Sequence, residues 1–165
     1  DAQQRHFALM KKHEHCVLKL PLQNLQSSLE IKQADGKIHV FDPLRKKYLV
    51  MQPEEMVRQL IIQYLNKYHH YPFTRMAAER ALQINGKMKR FDLIVFDKQA
   101  KPWLLVECKS FEVQLNDKAA LQAAEYNHLL NCPYLMLSNG IDSFVCRIDF
   151  ENRTTTFLNE LPTLE

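Results

Sequence analysis

Glycine is scarce in this chain, with 3 in 165 residues. A glycine-rich loop that cradles nucleotide phosphates has nowhere to form, so ATP is not an expected partner of these residues. No apolar run reaches the roughly 18 residues that a membrane-spanning helix needs. The first residues, Asp1-Ala-Gln-Gln-Arg-His, are polar and hold no apolar signal core. Four cysteines stand at 16, 108, 132 and 146, and none forms a Cys-x-x-Cys pair. The spacing of a zinc site is therefore missing, and Cys108, inside an apolar run, reads as a reduced, buried thiol. These features predict a cytoplasmic protein without disulfides and without a membrane partner. Strong charge of one sign is also lacking. A net charge of +3 permits a nucleic-acid partner but does not argue for one.

What is present is ordinary in bulk. The apolar fraction is 46% and the charged fraction 25%, as in globular domains. A chain of this length buries about 70% of its unfolded surface, enough for a real core. Residues 20–165 are expected to form a single domain. Residues 1–19 read as an arm or a short helix around Phe7, Leu9 and Met10, with His6, His13 and His15 on a solvated terminus.

The central stretch runs from Arg80 to Lys109. Arg90-Phe-Asp92-Leu-Ile-Val-Phe-Asp97 and Trp103-Leu-Leu-Val-Glu107-Cys-Lys109 are apolar runs with charged ends, the look of buried strands. On a strand, Glu107 and Lys109 share a face. Upstream, Asn85-Gly86 lies between two extended runs and predicts a two-residue hairpin turn. That turn sets Ile84 against Lys87, Gln83 against Met88, and Glu79 against Asp92. Carboxylates directly opposite repel unless a cation sits between them. Glu79, Asp92, Glu107 and Lys109 thus converge at one sheet end. Their composition suits a hard divalent cation with an amine beside it.

The remaining chain frames this stretch. Leu29–Gln33 and Lys37–Phe41 alternate around Ala-Asp-Gly and predict another hairpin. Arg45, Lys46 and Lys47 follow on a turn, where phosphate contact and a plain charged surface are both open readings. Pro53 opens an amphipathic helix through Tyr68, with Glu54 and Glu55 favouring its dipole and Glu54 spaced to pair with Arg58. Residues 74–97 are assigned to the long hairpin, although Ala77–Arg80 also suit a helix. Trp103 reads as packing. Asn116 or Asp117 caps a helix over about 117–130, with Gln122 and Tyr126 on one face. Pro133–Leu137 should run parallel to 102–109, Phe144–Ile148 should return antiparallel, and 154–158 adds an edge strand.

This order, with Asp92, Glu107 and Lys109 in an Asp-x14-Glu-x-Lys spacing, resembles the PD-(D/E)xK nuclease superfamily. More narrowly, several stretches resemble the N-terminal nuclease domain of type I restriction enzyme R subunits. They are Phe41-Asp-Pro-Leu-Arg-Lys-Lys-Tyr, Pro53-Glu-Glu-Met-Val-Arg-Gln, Lys89-Arg-Phe-Asp92, Val106-Glu-Cys-Lys109, Gln122-Ala-Ala-Glu-Tyr126 and Leu137-Ser-Asn-Gly140. The resemblance implies an α/β restriction-endonuclease-like fold, a central mixed sheet flanked by helices. It implies a Mg2+-dependent DNA endonuclease, with Mn2+ as a substitute, DNA as substrate and other restriction-modification subunits as partners. Asp92, Glu107 and the Cys108 backbone carbonyl would hold the metal. Lys109 would orient or deprotonate water, or steady charge on phosphate. Gln122 would hold the site from the helix, and Glu79 would complete the acidic cluster, with Glu55 of the first helix as its rival. Arg45, Lys46, Lys47, Arg90 and Tyr126 are the residues assigned to nucleic-acid contact. The competing expectation is a catalytically silent, nuclease-like module that binds nucleic acid or protein.

Overall fold

A computed structural model of the chain describes residues 17–127 and 131–164, apart from the side chains of Glu125 and Tyr126. The expected N-terminal arm lies outside these residues up to position 16, as does the side chain of Tyr126.

The first strands build a small antiparallel sheet, ordered β1-β2-β3, from β1 (Ile31–Ala34), β2 (Lys37–Asp42) and β3 (Lys47–Val50). Asp35 and Gly36 form the tight turn between β1 and β2, both with positive φ. A short 3-10 stretch, Leu22–Ser28, precedes this sheet and packs Leu22 and Leu25 into the core. The β1–β2 pair is the hairpin that the alternation around Ala-Asp-Gly predicts. The third strand begins with the basic turn and was not predicted as a strand.

Helix α1 spans Pro53–His69. Proline fits its first turn, where the missing N–H has no partner to lose. The helix ends at His70, whose left-handed backbone (φ 58°) lets its N–H reach the Leu65 carbonyl. Val57, Leu60, Ile61 and Leu65 are buried against the large sheet. Removing each such side chain from water is worth roughly 1.5–3 kcal/mol before entropy is counted.

The large sheet has six strands in the order β4-β5-β6-β7-β8-β9. They are β4 (Met76–Ile84), β5 (Lys87–Phe96), β6 (Pro102–Cys108), β7 (Tyr134–Ser138), β8 (Ser143–Asp149) and β9 (Thr154–Leu158). Only β6 and β7 pair in parallel, across the connection that holds helix α2 (Asp117–Asn127). Asn116 caps α2 by accepting the Ala119 N–H at 2.8 Å. Helix α1 covers one face, over Leu93, Val95, Leu104, Val106 and Met136. Helix α2 covers the other, where Ala120 and Ala124 meet the clusters of Leu105, Leu135, Leu137 and Phe144. This is an α/β protein with a mixed sheet flanked by helices, and it fits a restriction-endonuclease-like fold. Trp103 is buried between Tyr71 and Tyr134, as packing rather than as an exposed stacking platform. No helix among the described residues is long and apolar enough to cross a membrane.

Candidate active site

The Asn85-Gly86 turn holds the predicted register. Ile84 pairs with Lys87, Gln83 with Met88, and Arg80 with Phe91. Ala78 pairs with Leu93 on the far side, so Glu79 and Asp92 stand at facing positions between two regular pairs. They do not close a ladder pair of their own, because Glu79 has a left-handed backbone, with φ 55°. That conformation costs a non-glycine residue about 1–2 kcal/mol. It also turns the hairpin over. Met76, Leu93 and Val95 pack under α1, whereas Phe91, Leu82 and Ile84 pack with the cluster under α2. A regular strand keeps alternate residues on one face throughout. Here both strands change face at the Glu79–Asp92 step, and Asp92 lies at the crossover.

The cation between these two carboxylates is Arg58 of α1. Its Nη2 lies 2.7 Å from Glu79 Oε1 and 3.3 Å from Asp92 Oδ1. Nη1 meets Glu55 Oε2 at 2.6 Å, and Glu54 Oε1 is 3.9 Å from Nη2. The Arg58 side chain is only 5% exposed. Burial opposes its charge, but Glu55, Cys108, Asp92 and Glu79 outweigh burial and raise its pKa. Partial burial, and then Asp92, push the Glu54 carboxyl upward, with Arg58 and Lys109 pulling the other way. The acidic group reaches back to the small sheet. Arg45 bonds Glu55 at 2.6 Å and also Asp42, which is fully buried. Sequence reasoning gave Arg58 only as an i,i+4 partner of Glu54. Its one available signal was its place beside Val57, at the margin of the apolar stripe.

Asp92 is fixed from the other side as well. The Cys108 N–H donates to Asp92 Oδ2 at 2.7 Å. The β5–β6 ladder runs to Leu93–Val106, so the next facing positions are Asp92 and Glu107. Glu107 opens toward α2, on a cavity of about 380 Å3 that also receives Lys89, Lys109 and Gln122. Lys89 Nζ is 3.6 Å from Glu107 Oε1, with the two side chains 24% and 23% exposed. Burial lowers the Lys89 pKa, while Glu107 and then Asp92 act to raise it. One ammonium therefore feels both carboxylates.

The assigned residues divide accordingly. Glu107, Lys109 and Gln122 line the cavity beside α2. Glu79, Glu55 and Asp92 turn to Arg58, with the second oxygen of Asp92 on the Cys108 N–H. Arg45 is committed to Asp42 and Glu55, away from solvent, whereas Lys46 and Lys47 are exposed. Arg90 is 71% exposed and 3.6 Å from Glu79 Oε2. The Lys109 N–H holds β7 through the Ser138 carbonyl, at 2.8 Å. The residues missed by sequence reasoning are Arg58 and Lys89.

Glu107 brings one carboxylate to the cavity, a hard oxygen ligand of the kind Mg2+ takes, beside the Gln114 and Gln122 amides. Among the described residues, no three His, Cys, Asp or Glu side chains converge tightly enough to enclose an ion by themselves. Mg2+ does not ask for that, since it keeps several waters.

A fragment assigned as an HsdR subunit of a type I restriction enzyme from Vibrio vulnificus YJ016 shares 17% identity over 68% of this chain and 24% of that one, with a TM-score of 0.47. The chain thus spans about a quarter of that relative's length. No curated protein matches it. The family model for the N terminus of the type I restriction enzyme R protein matches residues 53–162, from the first turn of α1 to beyond β9. The chain belongs to the family of type I restriction enzyme R protein N-terminal regions.

Proposed function

We propose that this chain is a Mg2+-dependent DNA endonuclease domain of the PD-(D/E)xK type, working beside other restriction-modification subunits. The observation that carries the reading is that Asp92 and Glu107 occupy facing positions on β5 and β6, with Glu107, Lys109 and Gln122 lining one cavity. Asp92 and Glu107 would hold the ion, with the Cys108 carbonyl and water completing its shell. Bound there, Mg2+ supplies charge neutralisation on the phosphate and a nucleophile from water near neutral pH. The chain's own groups do the rest. Asp92 is held by Arg58 and the Cys108 N–H, so it is oriented before any ligand arrives. Lys109, two residues beyond Glu107, would hold the water or steady charge on a phosphate oxygen. Gln122 closes the cavity from α2. Lys46, Lys47 and Arg90 are exposed cations suited to backbone phosphates. Mn2+ should substitute for Mg2+.

The test is cleavage of plasmid DNA in Mg2+ by the folded wild-type, Asp92→Asn and Lys109→Ala proteins. The expected result is cleavage by wild type and at least a hundredfold loss in each variant. Equal cleavage by all three refutes the reading. One observation favours a second reading, a silent module that binds nucleic acid. Both carboxylates already have protein cations as partners, Arg58 and Lys89. Salt-sensitive DNA binding with no cleavage in Mg2+ or Mn2+ would select it.

A further inference from the structure

The cavity beside α2 has room and wall chemistry that cutting a phosphodiester does not by itself require. Its volume of about 380 Å3 lies within the range of small-molecule sites. A phosphate, with five heavy atoms, fills only part of it. Its charged groups are Lys89 of β5, Glu107 of β6 and Lys109 just beyond, two ammoniums against one carboxylate. The Lys89 side chain is 24% exposed and does not stretch away into solvent. Its Nζ lies 4.9 Å from the centre of the Phe91 ring and 3.6 Å from Glu107 Oε1. An ammonium carries three N–H donors, so a phosphate oxygen can join Glu107 on it. Val113, Leu115, Ala119, Ala123 and Leu137 make the apolar part of the wall. Gln114 and Gln122 add two amides, each able to donate and to accept. Cations for a phosphate, apolar surface for a ring and amides for the ring's edge are what a nucleotide asks for.

We propose that this cavity takes one nucleotide of a single nucleic-acid strand, with its phosphate on Lys89 and its base against the apolar wall. The inference rests on the nucleic-acid half of the reading above and needs no metal. It makes Lys89 a substrate-binding residue, in addition to Lys109. Lys89 reads the charge, while the apolar side chains and the two amides read the ring. Inorganic phosphate leaves the apolar wall unused, and a nucleoside leaves the ammoniums unused. Each should therefore bind less tightly than the two joined. A paired nucleotide must first leave its stack to enter a pocket, so a single strand is the favoured form.

The experiment titrates the full 165-residue chain in EDTA and follows amide shifts by NMR. The probes are deoxyadenosine 5′-monophosphate, deoxyadenosine, inorganic phosphate and a short single strand of deoxyadenylate. Wild type is expected to bind the monophosphate roughly tenfold more tightly than the nucleoside or phosphate, with shifts at Leu115, Ala119 and Ala123. The strand should bind at least as tightly as the monophosphate. Lys89→Met should weaken the monophosphate by roughly tenfold and leave the nucleoside unchanged, whereas Lys89→Arg keeps most of the affinity. A monophosphate that binds no better than phosphate, or that shifts residues away from α2, overturns the inference. So does full affinity in a folded Lys89→Met protein. A cavity that takes the monophosphate but excludes the strand overturns it in favour of a free nucleotide. If Lys89→Met does not fold, the wild-type probes decide. Plasmid cleavage that needs Asp92 stands whether or not the monophosphate binds, so these failures leave the nuclease reading intact. A chain that binds the probes as expected but cuts no DNA refutes the nuclease reading and supports the inference.

Discussion

Asp42 shows how single residues tie the small sheet to the site. Burial alone would raise its carboxyl pKa, but the Arg45 and Leu44 N–H groups and the Arg45 guanidinium outweigh burial and lower it. A depressed carboxylate stabilises the fold above its unfolded pKa and loses that contribution as pH falls through its folded pKa. Asp42→Asn should therefore cost about 3 kcal/mol at pH 7, at the low end of the range for breaking an enclosed ion pair. The difference should shrink below about pH 4, the ordinary carboxylate range, and vanish once Asp42 itself is protonated. Urea unfolding of both proteins at neutral and acid pH checks the size and the direction. The buried thiols give a second expectation at this scale. Burial pushes Cys132 up to about 12 and Cys108 well above its usual value. A thiolate is the reactive form. Both should stay unlabelled by a thiol reagent at pH 8 and become labelled in urea, as read by peptide mass. Labelling of Cys108 in the native protein would contradict the packing described.

Among the elements, the β4–β5 hairpin does most to place the site, and its turn was legible from two residues. Asn85 and Gly86 both have positive φ, at 48° and 77°, as the tight turn demands. The face change at Glu79 was not legible. Alternation assumes regular strands, and nothing in Ala78-Glu-Arg80 announces a left-handed glutamate. The burial of Arg58 was equally hidden, since its partners come from α1, β4 and β5 and converge only in three dimensions. β3 escaped because Lys47–Val50 is short and opens with a charged turn. Two glycines give a comparison at this scale. A methyl at Gly86 meets nothing within 4 Å, so Gly86→Ala pays only for its backbone, about 1–2 kcal/mol. Gly140 has φ 86°, and a methyl there would lie 3.1 Å from Val57 Cγ2 of α1. Gly140→Ala should lower the melting temperature more than Gly86→Ala does. The reverse order would mean that α1 does not press on the β7–β8 turn as described.

Across the whole molecule, the sheet divides two kinds of chemistry. The α1 side is a closed lattice of ion pairs from Asp42 through Arg45, Glu55 and Arg58 to Asp92. The α2 side is an open cavity with Glu107, Lys89, Lys109 and Gln122 on its wall. Sequence motifs located the strands of the large sheet and most residues of the open side, because a short spacing on one strand fixes a shared face. They did not assign Glu79 and Glu55 to the closed side, because that depends on how α1 crosses the hairpin. The central claim is that Asp92 and Glu107 share one metal ion at this boundary. Anomalous diffraction from crystals of the protein soaked in Mn2+ measures it directly. The account predicts one manganese peak within coordination distance of both carboxylates. Manganese among Glu54, Glu55 and Glu79 instead, or none touching Asp92 and Glu107, would contradict it.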